Sequence, residues 1–494
     1  MSPVPAGKEN HASIRKPVFT LETMNKNVVN VQYAVRGELA LRAEAIKEEL
    51  QAGKRLAFDK VIHCNICNPQ QLDQQPITFF RQVAALTEYP ELMRDPKKIE
   101  GLFPKDAIER AQTLLKGFKT LGAYSHSKGV PYIRQRIAEF IERRDGFPSD
   151  PEDIFLTSGA SSGVLLVMQL LIENSNVGVM LPVPQYPLYT AACSLYDAKT
   201  VSYALDEEND WALDVNEMRT RLHEARAQGT DVRALVVINP SNPTGHCMKY
   251  ENMKQVVEMC HEEGLLLMVD EVYQENVYDK QARPFHSFKK VVRSMGEEYS
   301  DFELISFHSV SKGVAAECGR RGGYFELAGI DPRVNAQLYK LASVSLCPNI
   351  SGQFMLDLVL NPPQEGDPSY ELFHKETTGI FSSLKRRSEK LCAALNELEG
   401  VSCNKATGSM DLFPQIRLPE KAIKKAYEQG KKGDEFYAME MLNAIGVCVV
   451  PGAGFKQKAG THHFRTTVLP PEKLFDAFLD SLKSFHREFM KKYQ

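Results

Sequence analysis

Four short segments carry residue types that could do chemistry together. Thr157-Ser-Gly-Ala-Ser-Ser-Gly163 is built of small residues that let the backbone approach an anion. An apolar run follows it, and a helix starting there offers free N–H groups. No Gly-Lys-Ser/Thr step follows, so it is not a P-loop. In Asn239-Pro-Ser-Asn-Pro-Thr-Gly245, two Asn-Pro steps impose an extended, irregular path, and Asn242 can present its amide to a ligand oxygen. In Val269-Asp-Glu-Val-Tyr273, Asp270 closes an almost purely aliphatic run, where a carboxylate needs a partner. The fourth segment is Ser309-Val-Ser-Lys-Gly313 with Gly319-Arg-Arg-Gly-Gly-Tyr324. Lys312, next to glycine at the end of an apolar run, is a poor surface lysine. Burial and neighbouring positive charge would lower its pKa and make it a nucleophilic amine. Arg320 or Arg321 could supply that charge and also grip a phosphate. Taken singly, each segment also reads as an ordinary turn or a strand-end ion pair.

Such distant residues meet only if a frame gathers them. Residues 153–158, 177–181, 233–238, 265–269 and 302–307 are continuous apolar runs, the pattern of parallel strands buried on both faces. Helical patterns such as 162–172 and 253–263 lie between them. The prediction is an α/β domain with a mostly parallel sheet, whose carboxyl-end loops share one crevice. Upstream, Leu39, Ala43, Ile46 and Leu50 mark one face of a helix. After Asn361-Pro-Pro363 the character shifts. A long charged helix over 376–398, a strand ending at Val449-Val-Pro-Gly452 and a Leu474, Phe478, Leu482, Phe485, Phe489 stripe predict a smaller α+β domain. No internal repeat is visible.

A lysine nucleophile, an acid, an amide and an anion cradle form the inventory of a pyridoxal phosphate site: a Schiff-base lysine, a partner for the ring nitrogen and a phosphate grip. With Tyr33-Ala-Val-Arg-Gly37, Gln75-Pro-Ile-Thr-Phe-Phe80, Ala123-Tyr-Ser-His-Ser-Lys-Gly129, Pro184-Gln-Tyr-Pro-Leu-Tyr189 and Phe464-Arg-Thr-Thr-Val-Leu-Pro470 added, the sequence resembles the fold-type I, class I/II aminotransferases. Within them it is most similar to the branch that acts on alanine. The resemblance runs from about residue 30 to the C-terminus. It implies the fold-type I pyridoxal-phosphate transferase fold and reversible amino transfer between L-alanine and 2-oxoglutarate. It implies that Lys312 anchors pyridoxal 5'-phosphate and shuttles the proton, and that Asp270 pairs with the ring nitrogen. Tyr273 and Asn242 would contact the phenolic oxygen, and Tyr186 would stack on the ring. Ala160, Ser161, Ser309 and Arg321 would hold the phosphate, with Tyr124 reaching in from the second subunit of a homodimer. Arg321 fits the family's Arg-x-Gly-aromatic step better than Arg320. Arg465 would bind the substrate α-carboxylate. Tyr33 and Arg36 would cover the site, Arg36 meeting the distal carboxylate of glutamate. Cys67 stands where the family usually has glycine, close to substrate, and would narrow the pocket or shift the backbone. By the same resemblance, residues 26–105 and 360–494 form the small domain and 106–359 the large one, after a disordered tail over 1–25. A glyoxylate- or aromatic-using aminotransferase would share all the cofactor residues.

Composition excludes other classes. Lys+Arg total 60 and Asp+Glu 63, a net charge of −3, which argues against a nucleic-acid binder. No basic helix-turn-helix candidate is present to support a pyridoxal-binding regulator. No run approaches the ~18 apolar residues of a membrane span. The ten cysteines are scattered and read as reduced and intracellular. Cys64-Asn-Ile-Cys67 has no second pair for zinc, and no metal is expected. Residues 1–20 are polar with a single arginine, Arg15. They read as a cytosolic tail rather than a secretory signal, with a mitochondrial location the alternative. His126, His308, His462 and His463 read as structural hydrogen-bonding groups, since Lys312 already fills the base role.

Overall fold

The computed structural model describes residues 19–31, 33, 37–99 and 101–494. Most of the predicted tail, and Arg36, lie outside the described residues.

Eight strands make the central sheet: β1 (Ile154–Thr157), β2 (Val177–Val183), β3 (Lys199–Asp206), β4 (Ala212–Leu213), β5 (Asp231–Ile238), β6 (Leu266–Asp270), β7 (Leu304–Ser309) and β8 (Gly323–Ala328). Their spatial order is β1-β8-β7-β6-β5-β2-β3-β4. The pairs β7–β6, β6–β5, β5–β2 and β2–β3 are parallel. β8 runs antiparallel to both β1 and β7, and β4 antiparallel to β3. The apolar runs become strands because both faces are covered. Along β5, Leu235 and Val237 join the core under helices Tyr250–Glu263 and Phe288–Ser294, while Ala234, Val236 and Ile238 join that under Ala160–Leu171 and Leu188–Tyr196. Each fully buried aliphatic side chain contributes about 1.5–3 kcal/mol, enough in sum to offset the cost of ordering the sheet.

Three strands escaped the sequence pattern: the two-residue β4, β3 and β8. β3 alternates buried and exposed residues because it lies near the sheet edge. β8 follows the Gly-Arg-Arg-Gly step, which reads as a ligand loop. It matters because its inverted direction brings its first residue, Gly323, opposite both Thr157 and Ser309, where β1 and β7 end.

The C-terminal part of the chain packs against the loops that follow β5 and β6. Ile62–His63 pairs in parallel with Val447–Cys448, joining the two ends of the sequence. Asp411–Leu412, Phe464–Thr467 and Val450–Pro451 form a three-stranded sheet. Helices Tyr370–Asn396, Gly433–Ile445 and Phe475–Tyr493 cover it, and the last buries Phe478, Leu482, Phe485 and Phe489 from the predicted stripe. Tyr273 and Val272 belong to this core, so the loop after β6 is packed directly against it. The N-terminal segment is shared: helix Thr78–Glu88 packs with Lys105–Phe118 and with Ile350–Leu360 beside β1. Among the described residues no helix is long and apolar enough to cross a membrane.

Just past β6, Glu271 is fully enclosed, with its Oε1 accepting the Phe288 N–H at 2.8 Å. Burial pushes its carboxyl up to about 8, although Arg144 and the Phe288 N–H pull the other way. The folded state therefore holds this proton more tightly than the unfolded chain, whose Glu titrates near ~4.3. Stability from this group is complete below that value and is lost as pH rises toward 8. Glu271→Gln keeps the acceptor and removes the titration. Its urea midpoint relative to the parent should rise between about pH 5 and pH 9; a constant difference would show that Glu271 does not titrate with folding.

Candidate active site

The site lies where β1, β5, β6 and β7 end and β8 begins. β7 stops at Ser309, and the chain turns at Gly313 with φ +70°. Lys312 is carried on that turn and is half-buried, not enclosed as its sequence context suggests, because it lies three residues beyond the buried strand. Its Nζ sits 5.2 Å from the centroid of the Tyr273 ring. It makes no hydrogen bond or ion pair among the described residues. The turn is pinned from below. Gly313 donates its N–H to Asn276 Oδ1 at 2.8 Å, and a Cβ at 313 would lie 2.2 Å from Glu275 Oε2. Asn276 and Glu275 lie just past the Val269–Tyr273 segment, and no residue pattern marks them as supports.

Asp270 ends β6 and is buried. Its carboxylate accepts from Tyr189 Oη at 3.0 Å and from the Val272 N–H at 3.3 Å. Burial nevertheless pushes its carboxyl above the usual aspartate range; the Tyr189 and Val272 donors and the nearby Lys312 charge oppose the shift without cancelling it. An aspartate already satisfied by a cation would be displaced downward, so this one is short of a positive partner. Tyr189 was not assigned from sequence. It lies in an aromatic-proline segment where only the fold shows which tyrosine turns inward.

The anion cradle forms across β1 and β8. Gly159, at φ +88°, caps helix Ala160–Leu171. Arg321 reaches over it: Nη2 donates to Ser158 O at 3.3 Å and Ser161 Oγ at 3.4 Å, and Nη1 donates to Cys318 O at 3.0 Å and Ser311 Oγ at 3.4 Å. Ser309 is buried at the end of β7, and its Oγ accepts the Ser311 N–H at 3.3 Å. Arg320 faces elsewhere, into a hollow with Gln70, Arg81 and Glu317. Tyr124 is 79% exposed, unlike the other site tyrosines.

Across the crevice, Arg465 is 2% exposed. Its Nη1 donates to Asn242 Oδ1 at 3.3 Å, its Nη2 to the Asn65 carbonyl, and its guanidinium lies 5.1 Å from the Phe455 ring centroid. Asp411, which the sequence reading passed over, lies alongside: Oδ1 is 3.5 Å from Arg465 Nε and accepts from Cys67 Sγ at 3.3 Å. Oδ2 accepts from Tyr273 Oη at 3.1 Å and Ser409 Oγ at 3.0 Å. The Cys67 side chain thus has a polar partner. Burial and the Asp411 charge push its thiol up to about 11, which keeps it protonated as a donor. Tyr273 is raised by burial and then by Asp411. Tyr33 Oη and Tyr186 Oη are 2.8 Å apart, with the rings edge to face. Burial raises the Tyr33 phenol, while Arg465 and Lys312 both act on it in the opposite sense, so it lies within reach of both cations. Of the histidines, His308 is buried and held neutral, its pKa lowered to about 3 by burial, and His463 bonds Glu207 at 3.0 Å. Among the described residues no group of three or more His, Cys, Asp or Glu could hold a metal ion.

One crevice therefore collects an amine, a carboxylate lacking a cation, an oxyanion cradle and a buried guanidinium. The family model described as aminotransferase class I and II matches residues 96–482. The chain is similar to a probable mitochondrial alanine aminotransferase from Dictyostelium discoideum, at 49% identity over 97% of this chain and 91% of that protein. It is similar to a mitochondrial alanine aminotransferase 1 from Arabidopsis thaliana, at 51% identity over 96% and 88%. Among solved structures, an aminotransferase from Escherichia coli superposes with a TM-score of 0.73 at 25% identity, covering 94% of this chain and 98% of that one.

Gly159 gives a direct test of the cradle. A Cβ there would lie 2.1 Å from Arg321 Nη2, on a backbone with φ +88°. Gly159→Ala should lower the stability of the ligand-free protein by about 1–3 kcal/mol and weaken its affinity for inorganic phosphate. Unchanged thermal melting and phosphate binding would show that Arg321 does not lie over the helix start.

Proposed function

Because the chain belongs to the class I and II aminotransferase family, we propose that it transfers an amino group reversibly between L-alanine and 2-oxoglutarate, yielding pyruvate and L-glutamate, with pyridoxal 5'-phosphate as cofactor. The observation that supports this most directly is the meeting of Lys312, Asp270, Arg321 and Arg465 in one crevice, on a chain 49–51% identical to proteins named alanine aminotransferase.

The residues suit the cofactor. Arg321, the Ser161 hydroxyl and the free N–H groups at Ala160 form a phosphate grip over a glycine that tolerates no side chain, with Ser309 beside it. Asp270 would meet the ring nitrogen, supplying the cationic partner that its buried carboxylate lacks. Lys312 would hold the aldehyde carbon covalently. Tyr186 would stack on the ring. Asn242 gives its Oδ1 to Arg465, leaving its amide N–H for the phenolic oxygen beside Tyr273. When bound, pyridoxal phosphate supplies an electron sink conjugated to the substrate α-carbon.

The chain's own residues do the rest. Arg465 binds the α-carboxylate, and charge-assisted pairing orients the α C–H toward Lys312. Once the substrate's amino group has displaced it, the Lys312 amine would be free to take that proton and return it, and among the described residues no other side chain pairs with it. The Tyr33–Tyr186 pair closes the side of the crevice next to Arg465 and excludes water. We read 106–359 as the cofactor domain and 360–494 as the small domain, to which part of 26–105 contributes. We also propose a cytosolic enzyme; both relatives are named as mitochondrial, which supplies the alternative, and cell fractionation decides between them.

The decisive assay loads the protein with pyridoxal phosphate and follows pyruvate release from L-alanine against a panel of 2-oxo acids. 2-Oxoglutarate should be preferred over glyoxylate and over aromatic oxo acids by about tenfold or more in kcat/KM. Pyruvate release no faster with 2-oxoglutarate than with glyoxylate would move the protein to another branch of the family.

The homodimer is a separate proposal, supported by exposed apolar residues near the cradle. Tyr124, Val344 and Leu346 are exposed, and Ser127 Oγ donates to Leu346 O at 2.6 Å, which places these segments side by side. We propose that Tyr124 of the partner subunit completes the phosphate grip. Tyr124→Ala and Lys312→Ala chains should each be impaired. When refolded together at equal amounts they should regain about a quarter of parental activity, from one intact site in half of the dimers. No gain on mixing would mean that each chain holds its own complete site.

A further inference from the structure

Asp411 has a place in this crevice that neither the family resemblance nor the cofactor reading assigns. Its position follows from strand register. Asp411 pairs with Thr467 across an antiparallel ladder, and Arg465 is two residues away on the same face of its strand, so the two side chains are diagonal neighbours. The carboxylate is fully buried and is satisfied by Tyr273 Oη, Ser409 Oγ and Cys67 Sγ. Arg465 Nε lies 3.5 Å from Asp411 Oδ1 and makes no hydrogen bond among the described residues, so the two are joined as an ion pair. Cys67, the departure from the family's glycine, is one of the three donors. The two side chains form a single feature, because the thiol fills the space that brings a donor to Oδ1.

We infer that Asp411 is a positioning residue for carboxylate recognition: a resident counter-charge that fixes the Arg465 guanidinium and the Tyr273 hydroxyl, and that an arriving substrate carboxylate must partly supplant at Arg465. This rests on Arg465 as the substrate-carboxylate ligand. A buried guanidinium without an anion is strongly disfavoured, and the resident carboxylate removes that penalty while the pocket is empty. It also weakens the hold on any carboxylate that enters. In a reaction where two different acids bind and leave the same pocket in each cycle, weak ground-state binding favours turnover. Tyr273, whose hydroxyl is oriented by Asp411, is kept at a fixed angle through both halves of the cycle.

The test uses propionate, a carboxylate without an amino or oxo group, titrated calorimetrically into both the apoprotein and the pyridoxal-loaded protein. Asp411→Asn preserves shape and removes the counter-charge. It should bind propionate about tenfold more tightly than the parent, while kcat for alanine falls. Asp411→Glu, which keeps the charge, should stay within about twofold of parental propionate affinity. A purely structural role would loosen the site, so unchanged or weaker propionate binding in a folded Asp411→Asn protein would overturn the inference. If Asp411→Asn does not fold, Ser409→Ala serves instead. Losing that donor leaves more of the carboxylate's charge for Arg465 and should weaken propionate binding by about threefold; no change would likewise overturn it. Failure of the functional reading has a different signature: Arg465→Lys would bind propionate as well as the parent, and no pyruvate would form from alanine.

Discussion

The arrangement depends on a cation placed where water cannot reach it. A guanidinium buried as deeply as Arg465 costs several kcal/mol unless acceptors surround it. Those acceptors come from remote parts of the chain: the Asn65 carbonyl just past the strand Ile62–His63, the Asn242 amide oxygen after β5, and Asp411 on the neighbouring strand. Satisfying one charge therefore ties the N-terminal segment, the central sheet and the C-terminal layer together at one point. The same constraint explains why the three-stranded sheet carrying Arg465 must sit against the loop after β6, since Tyr273 bonds Asp411 and belongs to the same apolar core.

The opposite wall of the crevice is held by topology instead of charge. Were β8 parallel to β7, Arg321 would sit at the far edge of the sheet. Its inversion sets Gly323 against Thr157 and Ser309, so the residues just before it fall over the helix that starts at Ala160. Backbone and side chain then constrain each other. Gly159 needs its positive φ and its missing Cβ because the Arg321 guanidinium occupies that volume. Gly313 is bounded in the same way by Glu275. These two glycines let the anion cradle and the lysine turn pack closely against Arg321 and Glu275.

The sequence made the parallel core legible because strands covered on both faces are written as unbroken apolar runs. β2, β5, β6 and β7 were each anticipated to within a few residues, and so was the crevice at their carboxyl ends. β3 was missed because a strand next to the sheet edge, exposed on one face, alternates, and β8 because its glycine-arginine approach carries the signature of a ligand loop. The residues with distinctive chemistry, Lys312, Asp270, Arg321 and Arg465, could be singled out by type and neighbours. Their supports could not. Tyr189, Asn276 and Asp411 act through partners 81, 37 and 138 residues away, and nothing in a local pattern marks which tyrosine, asparagine or aspartate has such a partner. Asp411 in particular sits in a Ser-Met-Asp-Leu-Phe stretch that reads as an unremarkable strand.

Charge balance links these levels. The crevice holds three cations, Lys312, Arg321 and Arg465, and two anions, Asp270 and Asp411, and they are not equivalently paired. Arg465 and Asp411 face each other at 3.5 Å, whereas Asp270 is met only by neutral donors and Lys312 by the face of a tyrosine. A site evolved only for stability would bring Lys312 and Asp270 into contact. Holding them apart leaves one amine free to form a bond and one carboxylate raised by burial and wanting a cation, at opposite ends of a space bounded by Tyr186 and the phosphate grip. On the proposed reading, the stability forgone in that unpaired couple would be recovered on binding the cofactor, which would offer an electrophilic carbon to Lys312 and a ring nitrogen to Asp270.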